Sequence, residues 1–245
     1  MKNKGLFLII GESFRTGGQN SRIRDLPESF ADQEKACRSH ISLINFLEKK
    51  YSIKIDVILN SYYTKYEKSI INWYQNSNFI KYKFNPDPLG YNTIFSNGLN
   101  LIKDKTKYDF IFVHRVDLVL KSYLKKAFDI HKEKIIFPFP MPLGSGKKGY
   151  KMWISETMVF IPSNHFDKKL TLSHEFLNEH QNIKNDIGYF VNTFHRANSS
   201  YGWNPVYNIA NRFESNVWNN NKFICNEKHD PIFYEKAGND FKCFL

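Results

Sequence analysis

The sequence predicts an α/β fold organised around a mainly parallel central sheet with helices on both faces. Apolar runs of strand length alternate with segments of helical periodicity over residues 1–121. The second half differs, because its apolar runs at 134–139 and 152–161 are separated only by prolines, glycines and lysines. That spacing leaves no room for a crossover helix and predicts a smaller mixed or antiparallel C-terminal part.

Each predicted element has its own signal in the chain. Buried apolar runs predict strands at 5–10, 54–60, 79–84 and 108–113. Apolar residues at helical spacing predict helices at 32–51, 63–76 and 91–105, the last capped by Asn92 or Thr93, and a fourth helix at about 165–180. No repeat or linker divides the chain, so residues 1–245 are predicted to form a single domain.

Composition narrows the class of protein. With 42% hydrophobic and 16% aromatic residues, the 245-residue chain is predicted to be folded rather than disordered. Its three cysteines, Cys37, Cys225 and Cys243, are far apart and suggest no disulfide framework, which favours a reducing, cytoplasmic setting. The apolar run after the first lysines is too short for a signal peptide or a membrane span and predicts a first strand.

The net charge of +11 is compatible with phosphate-bearing small molecules, an anionic membrane surface or nucleic acid. A nucleic-acid binder should carry a basic helix or a stacking motif. The lysines here are scattered, so we expect no nucleic-acid partner. Peripheral contact with an anionic membrane face remains an expectation, and so does an ordinary basic surface.

Two tempting motifs lack the required context. The segment "GSGKKG" at 144–149 has the letters of a dinucleotide fingerprint, but prolines precede it and a strand pattern follows it. We interpret it as an exposed basic loop whose Lys147 can approach a phosphate. In "HEFLNEH" the two histidines, His174 and His180, are six residues apart and do not share a helix face, which excludes a zinc hydrolase.

The most informative segment is "YDFIFVHRVDLVLK", residues 108–121, in which a buried strand ends at Arg115 and Asp117. Ligands of open parallel sheets bind beyond the carboxyl ends of the strands. A carboxylate there suits Mg²⁺ or Mn²⁺, and a guanidinium suits a phosphate. A purely structural Arg–Asp pair would give the same pattern.

The span 88–121, "PLGYNTIFSNGLNLIKDKTKYDFIFVHRVDLVLK", resembles the nucleotide-sugar half of GT-A-type glycosyltransferases. In that family such a strand ends in a D-x-D-like motif whose last aspartate binds a metal ion. Residues 153–166, "WISETMVFIPSNHF", resemble the strand after the acceptor loop of these enzymes. The resemblance extends from about Gly5 to Phe166 and implies a GT-A-like domain, with a nucleotide-binding half at 1–121 and an acceptor-side half at 122–245.

The same resemblance implies a set of site residues. Asp117 would bind Mn²⁺ or Mg²⁺, although an arginine stands at the first acidic position of the motif. His195 would complete the metal shell, as a C-terminal histidine does in some of these enzymes; a structural histidine is the alternative. The loop after strand one, residues 11–24, would bind the nucleotide through glycines, cations and an amide. These residues are Gly11, Arg15, Gly17, Gln19 and Arg22. Arg115 and Lys147 would bind the nucleotide as well.

Transfer of a sugar with inversion requires a carboxylate that accepts the proton of the acceptor hydroxyl. Glu156 and Asp186 are the candidates, and each could equally be an acid facing solvent. The expected activity is therefore transfer of a sugar from a nucleotide-diphosphate donor to a glycan or lipid-linked acceptor, as in polysaccharide biosynthesis. A sulfotransferase-like enzyme, using the 11–24 loop without a metal, and a non-catalytic binding module are the alternatives.

Overall fold

The computed structural model describes residues 3–16, 23–86, 89–120, 125, 133–137, 140–142, 152–154, 158–167, 187–189, 207–209, 218–219 and 222–223. Three α-helices lie wholly within these ranges: α1 (Glu28–Tyr51), α2 (Glu67–Tyr74) and α3 (Tyr91–Asn100). Two short 3-10 helices cover Lys105–Lys107 and Ser163–His165. None of the helices described is both long enough and apolar enough to cross a membrane.

The strands of the described ranges fall into one large sheet and several pairs. Those of the large sheet are β1 (Lys4–Gly11), β4 (Lys54–Tyr62), β5 (Asn78–Asn85), β6 (Phe110–Arg115), β8 (Ile135–Phe137), β11 (Met158–Pro162) and β12 (Ile187–Tyr189). The paired strands are β2 (Arg15–Thr16), β3 (Ile23–Arg24), β7 (Leu118–Leu120), β9 (Pro140–Pro142), β10 (Met152–Ile154), β13 (Tyr207–Ile209), β14 (Trp218–Asn219) and β15 (Lys222–Phe223).

The large sheet has seven strands in the order β12-β8-β11-β6-β1-β4-β5. Strand β1 is parallel to both of its neighbours, β4 and β6, and β4 is parallel to β5. Strand β11 is antiparallel to β6 and β8, while β12 is parallel to β8. The fold is therefore α/β with a mainly parallel central sheet, as the sequence predicts.

Both faces of the sheet are covered, because alternate residues of β1 enter different cores. Phe7 and Ile9 belong to the cluster that contains the buried residues of α1 and α2. Leu6, Leu8 and Ile10 belong to the cluster that contains Ile94 and Phe95 of α3. A strand buried on both sides requires a continuous apolar run, which is what "LFLII" supplies.

Helix α1 buries a mixed stripe. Its C-terminal half contributes apolar side chains at helical spacing, including Leu43, Ile44 and Leu47. Nearer its N-terminus the same stripe also buries the polar side chains of Gln33 and His40. The helix ends at Tyr51, and the left-handed backbone of the following Ser52 turns the chain so that the Ile53 N–H donates to the carbonyl of Glu48 at 3.3 Å.

Several predicted boundaries are corrected by the structure. Helix α1 begins four residues earlier than the predicted position 32, since the apolar pattern underestimates a stripe that starts with polar residues. The predicted helices at 63–76 and 91–105 are shorter, and a separate 3-10 turn follows α3. The predicted strand 152–161 is divided between β10, which pairs with β9, and β11 of the large sheet. Most of the predicted helix at 165–180 lies outside the described residues.

Gly5 of β1 is paired with Phe110 of β6, and a Cβ at position 5 would lie 2.3 Å from Cζ of that ring. The ring cannot yield easily because it is 1% exposed and stacked on Phe160 with centroids 5.0 Å apart. We expect Gly5→Ala to lower the free energy of unfolding by about 1–3 kcal/mol in urea denaturation.

The matched control is Gly90→Ala, since Gly90 is exposed, has no atom within 4 Å of its Cβ position and has backbone angles open to alanine. This variant should cost under about 1 kcal/mol. Equal losses in the two variants would contradict the packing assigned to Gly5.

Candidate active site

The carboxyl ends of β1, β4 and β6 meet at one edge of the sheet. The chain passes from β1 to β4 and β5 on one side, then returns to β6 on the other side of β1. This reversal makes the crevice between β1 and β6 the topological switch point, where open α/β sheets bind ligands. Gly11 ends β1 there with φ 107°, and its carbonyl accepts a hydrogen bond of 2.8 Å from the Ser61 hydroxyl of β4.

Arg115 and Asp117 form a bidentate ion pair at this edge. The Arg115 Nε donates to Asp117 Oδ1 at 2.8 Å, and its Nη2 donates to Oδ2. The side chain of Asp117 is 1% exposed, against 14% for Arg115, so the carboxylate is the inner partner. The Arg115 Cγ lies 3.9 Å from where a Cβ of Gly11 would stand, which places this side chain beside the end of β1.

A single buried side chain, Gln33 of α1, connects the two segments that form the edge. Its Oε1 accepts from the Phe14 N–H at 3.0 Å, and its Nε2 donates to the Val116 carbonyl at 2.8 Å. Phe14 has φ 49°, a conformation that is costly for an aromatic residue and needs support from its surroundings. Gln33 therefore fixes the loop after β1 and the Arg115–Asp117 turn relative to each other.

Beneath the turn lies a buried pair of histidines. His114 Nδ1 is 3.0 Å from the Arg115 carbonyl, and His40 Nε2 is 2.6 Å from the Leu118 carbonyl, so both nitrogens must carry the proton and donate. The Tyr74 hydroxyl can then donate to His40 Nδ1 at 2.5 Å. The rings of His40 and His114 make an edge-to-face contact with centroids 4.3 Å apart.

Burial controls the ionisation of this group. It lowers the pKa of His114 to about 4, against the opposing effects of the Arg115 carbonyl and the Asp117 charge. Burial also lowers the pKa of His40, and the neighbouring His114 lowers it further. The sulfur of Cys37 lies 3.6 Å from Gln33 Nε2, and burial raises the pKa of this thiol to about 12. The network is therefore neutral at pH 7.

The loop after β1 is anchored by its own contacts. The Glu12 carboxylate lies 3.5 Å from Arg24 Nε, and Asp25 accepts from the Thr64 hydroxyl and the Lys65 N–H. Nη1 of Arg24 is buried, with no hydrogen-bond partner in the described parts of the chain. A cluster of aromatic rings packs around the start of the loop, with centroids 4.8–5.9 Å apart: Phe14, Phe30, Tyr66 and Trp73.

A divalent metal at Asp117 does not fit the residues that the structure describes. Both carboxylate oxygens are bound by Arg115, and the described ranges hold no group of three His, Cys, Asp or Glu residues that could enclose an ion. The metal-binding role predicted for Asp117 requires a carboxylate that is open to solvent. Asp117 is instead buried, because the guanidinium two residues away provides a partner for it.

The structure brings together three of the predicted site residues, Gly11, Arg115 and Asp117. Of Arg15 it describes only the backbone, in β2. The other predicted residues lie outside the described ranges, and their roles stay predictions: Gly17, Gln19, Arg22, Lys147, Glu156, Asp186 and His195.

Sequence reasoning missed Gln33 and His40, which support the site from behind. A signal for them exists in the chain. Ser29, Gln33 and His40 follow the spacing of the buried stripe of α1, so polar residues occupy positions where the periodicity requires burial. Buried polar side chains at helical spacing need partners, and the loops at the sheet edge supply them.

Comparison with protein-family models and with curated protein sequences finds no match. Comparison with solved structures does find similar chains. A protein provisionally assigned as a nucleotide-diphospho-sugar transferase from Desulfovibrio desulfuricans G20 is 9% identical, with a TM-score of 0.46 over 80% of this chain and 81% of that chain.

Two further structures are similar over comparable lengths. The 4-diphosphocytidyl-2C-methyl-D-erythritol synthase of Anaerococcus prevotii is 10% identical, with a TM-score of 0.45 over 81% of this chain and 91% of that chain. The galactosyltransferase LgtC is 12% identical, with a TM-score of 0.38 over 76% of this chain and 72% of that chain.

We expect stability to decrease in acid because His114 must stay neutral in the folded chain. Its pKa is lowered from 6.5 to about 4, so the unfolded chain binds a proton that the folded chain excludes. The stabilisation is complete above pH 6.5 and is lost as the pH falls towards 4, by about 3 kcal/mol in total. Urea unfolding of the wild type and His114→Phe at pH 7.5, 6.0 and 4.5 measures this loss.

The substituted chain should show a shallower decrease between pH 6.5 and 4.5, whatever its stability at pH 7.5. His40 titrates in both proteins and leaves a residual slope. Parallel pH profiles for the two proteins would contradict the buried, neutral state of His114.

Substitution of Gln33 should separate its two hydrogen bonds from its packing. Gln33→Met leaves two buried main-chain groups without partners and should cost about 2–4 kcal/mol at any pH. Gln33→Glu keeps the shape. When protonated, the new carboxyl can still accept from Phe14 and donate to Val116; when ionised, it cannot donate and carries a buried charge.

The loss caused by Gln33→Glu, measured against the wild type at the same pH, should therefore be small near pH 5 and large at pH 8. Because the folded chain favours the protonated form, stability falls as the pH rises above the usual glutamate pKa of about 4.3. Chemical unfolding at the two pH values tests this. A pH-independent loss for Gln33→Glu would refute the double hydrogen bond.

Proposed function

We propose that this protein is a glycosyltransferase that moves a sugar from a nucleotide-diphosphate donor to a glycan or lipid-linked acceptor. The observation that supports the proposal is the meeting of Gly11 and Arg115 at the switch point between β1 and β6. Gly11 has no side chain and allows a ligand to approach the backbone, and Arg115 brings a permanent positive charge to the same edge. A diphosphate needs both features.

The chemistry of transfer depends on the leaving group. When the sugar–phosphate bond breaks, negative charge develops on the nucleoside diphosphate, and fixed positive groups stabilise it. Arg115 is held in place for this role by Asp117. Arg15, Arg22 and Lys147 are proposed to add further cations, and Glu156 or Asp186 to accept the acceptor proton. No step is assigned to a metal ion, since Asp117 does not fit one in the described arrangement.

The charge of the chain bears on the acceptor and the place of action. The net charge of +11 supports a proposal that the enzyme works at an anionic surface, such as the cytoplasmic face of a membrane that carries a lipid-linked glycan. The two alternatives, a sulfotransferase-like enzyme and a binding module without catalysis, predict different ligands or no turnover. Ligand binding separates the sulfotransferase-like enzyme from the proposal, and turnover of the sugar nucleotide separates the binding module.

The first experiment is a thermal-shift comparison of UDP, GDP, CDP and 3′-phosphoadenosine 5′-phosphate. One nucleoside diphosphate at about ten times its Kd should stabilise the protein by about 1.4 kcal/mol, a rise in Tm of about 3 °C or more. The corresponding sugar nucleotide should then be consumed in the presence of glycan or lipid-linked acceptors. Arg115→Gln should weaken nucleotide binding by at least about tenfold.

Arg38→Gln is the matched control, because Arg38 is a 72% exposed arginine on α1 that pairs with Glu34, and its removal changes the net charge equally. It should bind the nucleotide as the wild type does. Stabilisation by the phosphoadenosine compound alone would favour the sulfotransferase-like enzyme. Nucleotide binding with no turnover of any sugar nucleotide would favour the binding module.

A further inference from the structure

The Arg115–Asp117 pair occupies the place where a divalent cation would have to bind Asp117. Hard divalent cations take oxygen ligands, and a carboxylate supplies at most two oxygens. Both oxygens of Asp117 accept hydrogen bonds from one guanidinium, and the carboxylate is buried beneath it. An ion could reach Asp117 only by displacing Arg115 from a buried, bidentate contact, which leaves one charge without its partner.

The charge balance of the turn leads to the same result. Two carboxylates at positions 115 and 117 would carry a charge of −2 and would be neutralised by one divalent cation. An arginine and an aspartate at these positions sum to zero without any ion. The replacement of an acid by Arg115 therefore brings the same two units of positive charge that the ion would bring.

Three hydrogen bonds fix the main chain around the Arg115–Asp117 pair. The Val116 N–H donates to the Ile10 carbonyl at 2.8 Å, and the Val116 carbonyl accepts from Gln33 at 2.8 Å. The Arg115 carbonyl accepts from His114 at 3.0 Å. With the backbone held in this way, the spacing of the two side chains is set before any ligand arrives, which is what a preorganised electrostatic site requires.

We infer that Arg115 takes the position and the charge of a divalent cation, so that nucleoside diphosphates bind at this edge without a metal ion. The inference rests on the proposed function for the identity of the ligand. It makes Asp117 a positioning residue, which holds the guanidinium and does not bind an ion. It also predicts that a second acid at position 115 creates a metal requirement that the wild type lacks.

The first test uses manganese alone and needs no nucleotide. EDTA-treated, full-length protein is titrated with Mn²⁺, and the free ion is followed by electron paramagnetic resonance. The wild type and Arg115→Gln should leave the free Mn²⁺ signal unchanged at up to about 1 mM. Arg115→Asp should bind about one ion per chain, because two carboxylates then face each other across one residue. Binding of Mn²⁺ by the wild type that Asp117→Asn abolishes would overturn the inference.

The second test measures the affinity for UDP, GDP and CDP by calorimetry, in EDTA and in Mn²⁺. For the wild type the two values should agree within about twofold. Arg115→Gln should lose at least about tenfold in both buffers, and Arg115→Asp should bind only in Mn²⁺. Arg38→Gln should match the wild type throughout. A wild type that binds the nucleotide only in Mn²⁺ would refute the inference while leaving the transferase proposal intact.

The two proposals fail in different ways. A wild type that binds none of the nucleotides in either buffer would refute the proposed function, and the manganese titration would still decide whether Arg115 replaces an ion. Far-UV circular dichroism of each variant precedes the titrations. If Arg115→Asp does not fold, the wild type, Arg115→Gln and Asp117→Asn give the decision on their own.

Discussion

Main-chain N–H and carbonyl groups that are buried where the chain leaves a sheet need hydrogen-bond partners. In this protein one side chain supplies the partners of two such groups. The N–H of Phe14 and the carbonyl of Val116 belong to segments about a hundred residues apart, and Gln33 bonds to both. An unsatisfied buried amide or carbonyl costs about 1–3 kcal/mol, so the three groups are interdependent. The position of Arg115, next to Val116, depends on this arrangement.

Buried residues, rather than residues at the surface, fix the geometry of this site. Helix α1 turns polar side chains towards the sheet edge. His40 donates to the Leu118 carbonyl and His114 donates to the Arg115 carbonyl, on either side of the β6–β7 turn. Groups that carry no charge thus hold the Arg115–Asp117 ion pair in place. The support itself does not change its charge near pH 7, since burial keeps both histidines neutral.

The sequence was sufficient for the strands because burial on both faces requires long apolar runs, and those of β1, β4 and β6 are unambiguous. It was also sufficient to place Gly11, Arg115 and Asp117 at one edge, because parallel strands bring their carboxyl ends together. It could not show that Asp117 is buried under Arg115. That outcome depends on side-chain conformation, and a cleft-facing acid has the same sequence. The roles of Gln33 and His40 were not predicted, because polar residues in an amphipathic helix are ordinarily assigned to its outer face.

Cys37 lies one turn beyond Gln33 on the same stripe of α1, fully buried, with a thiol whose pKa burial raises to about 12. Alkylating reagents and oxidants attack the thiolate, so this sulfur is chemically silent as long as the helix covers the sheet. The rate at which a reagent modifies Cys37 would therefore measure how often α1 separates from the sheet. The helix that carries Gln33 thus also carries a residue whose modification reports its own detachment.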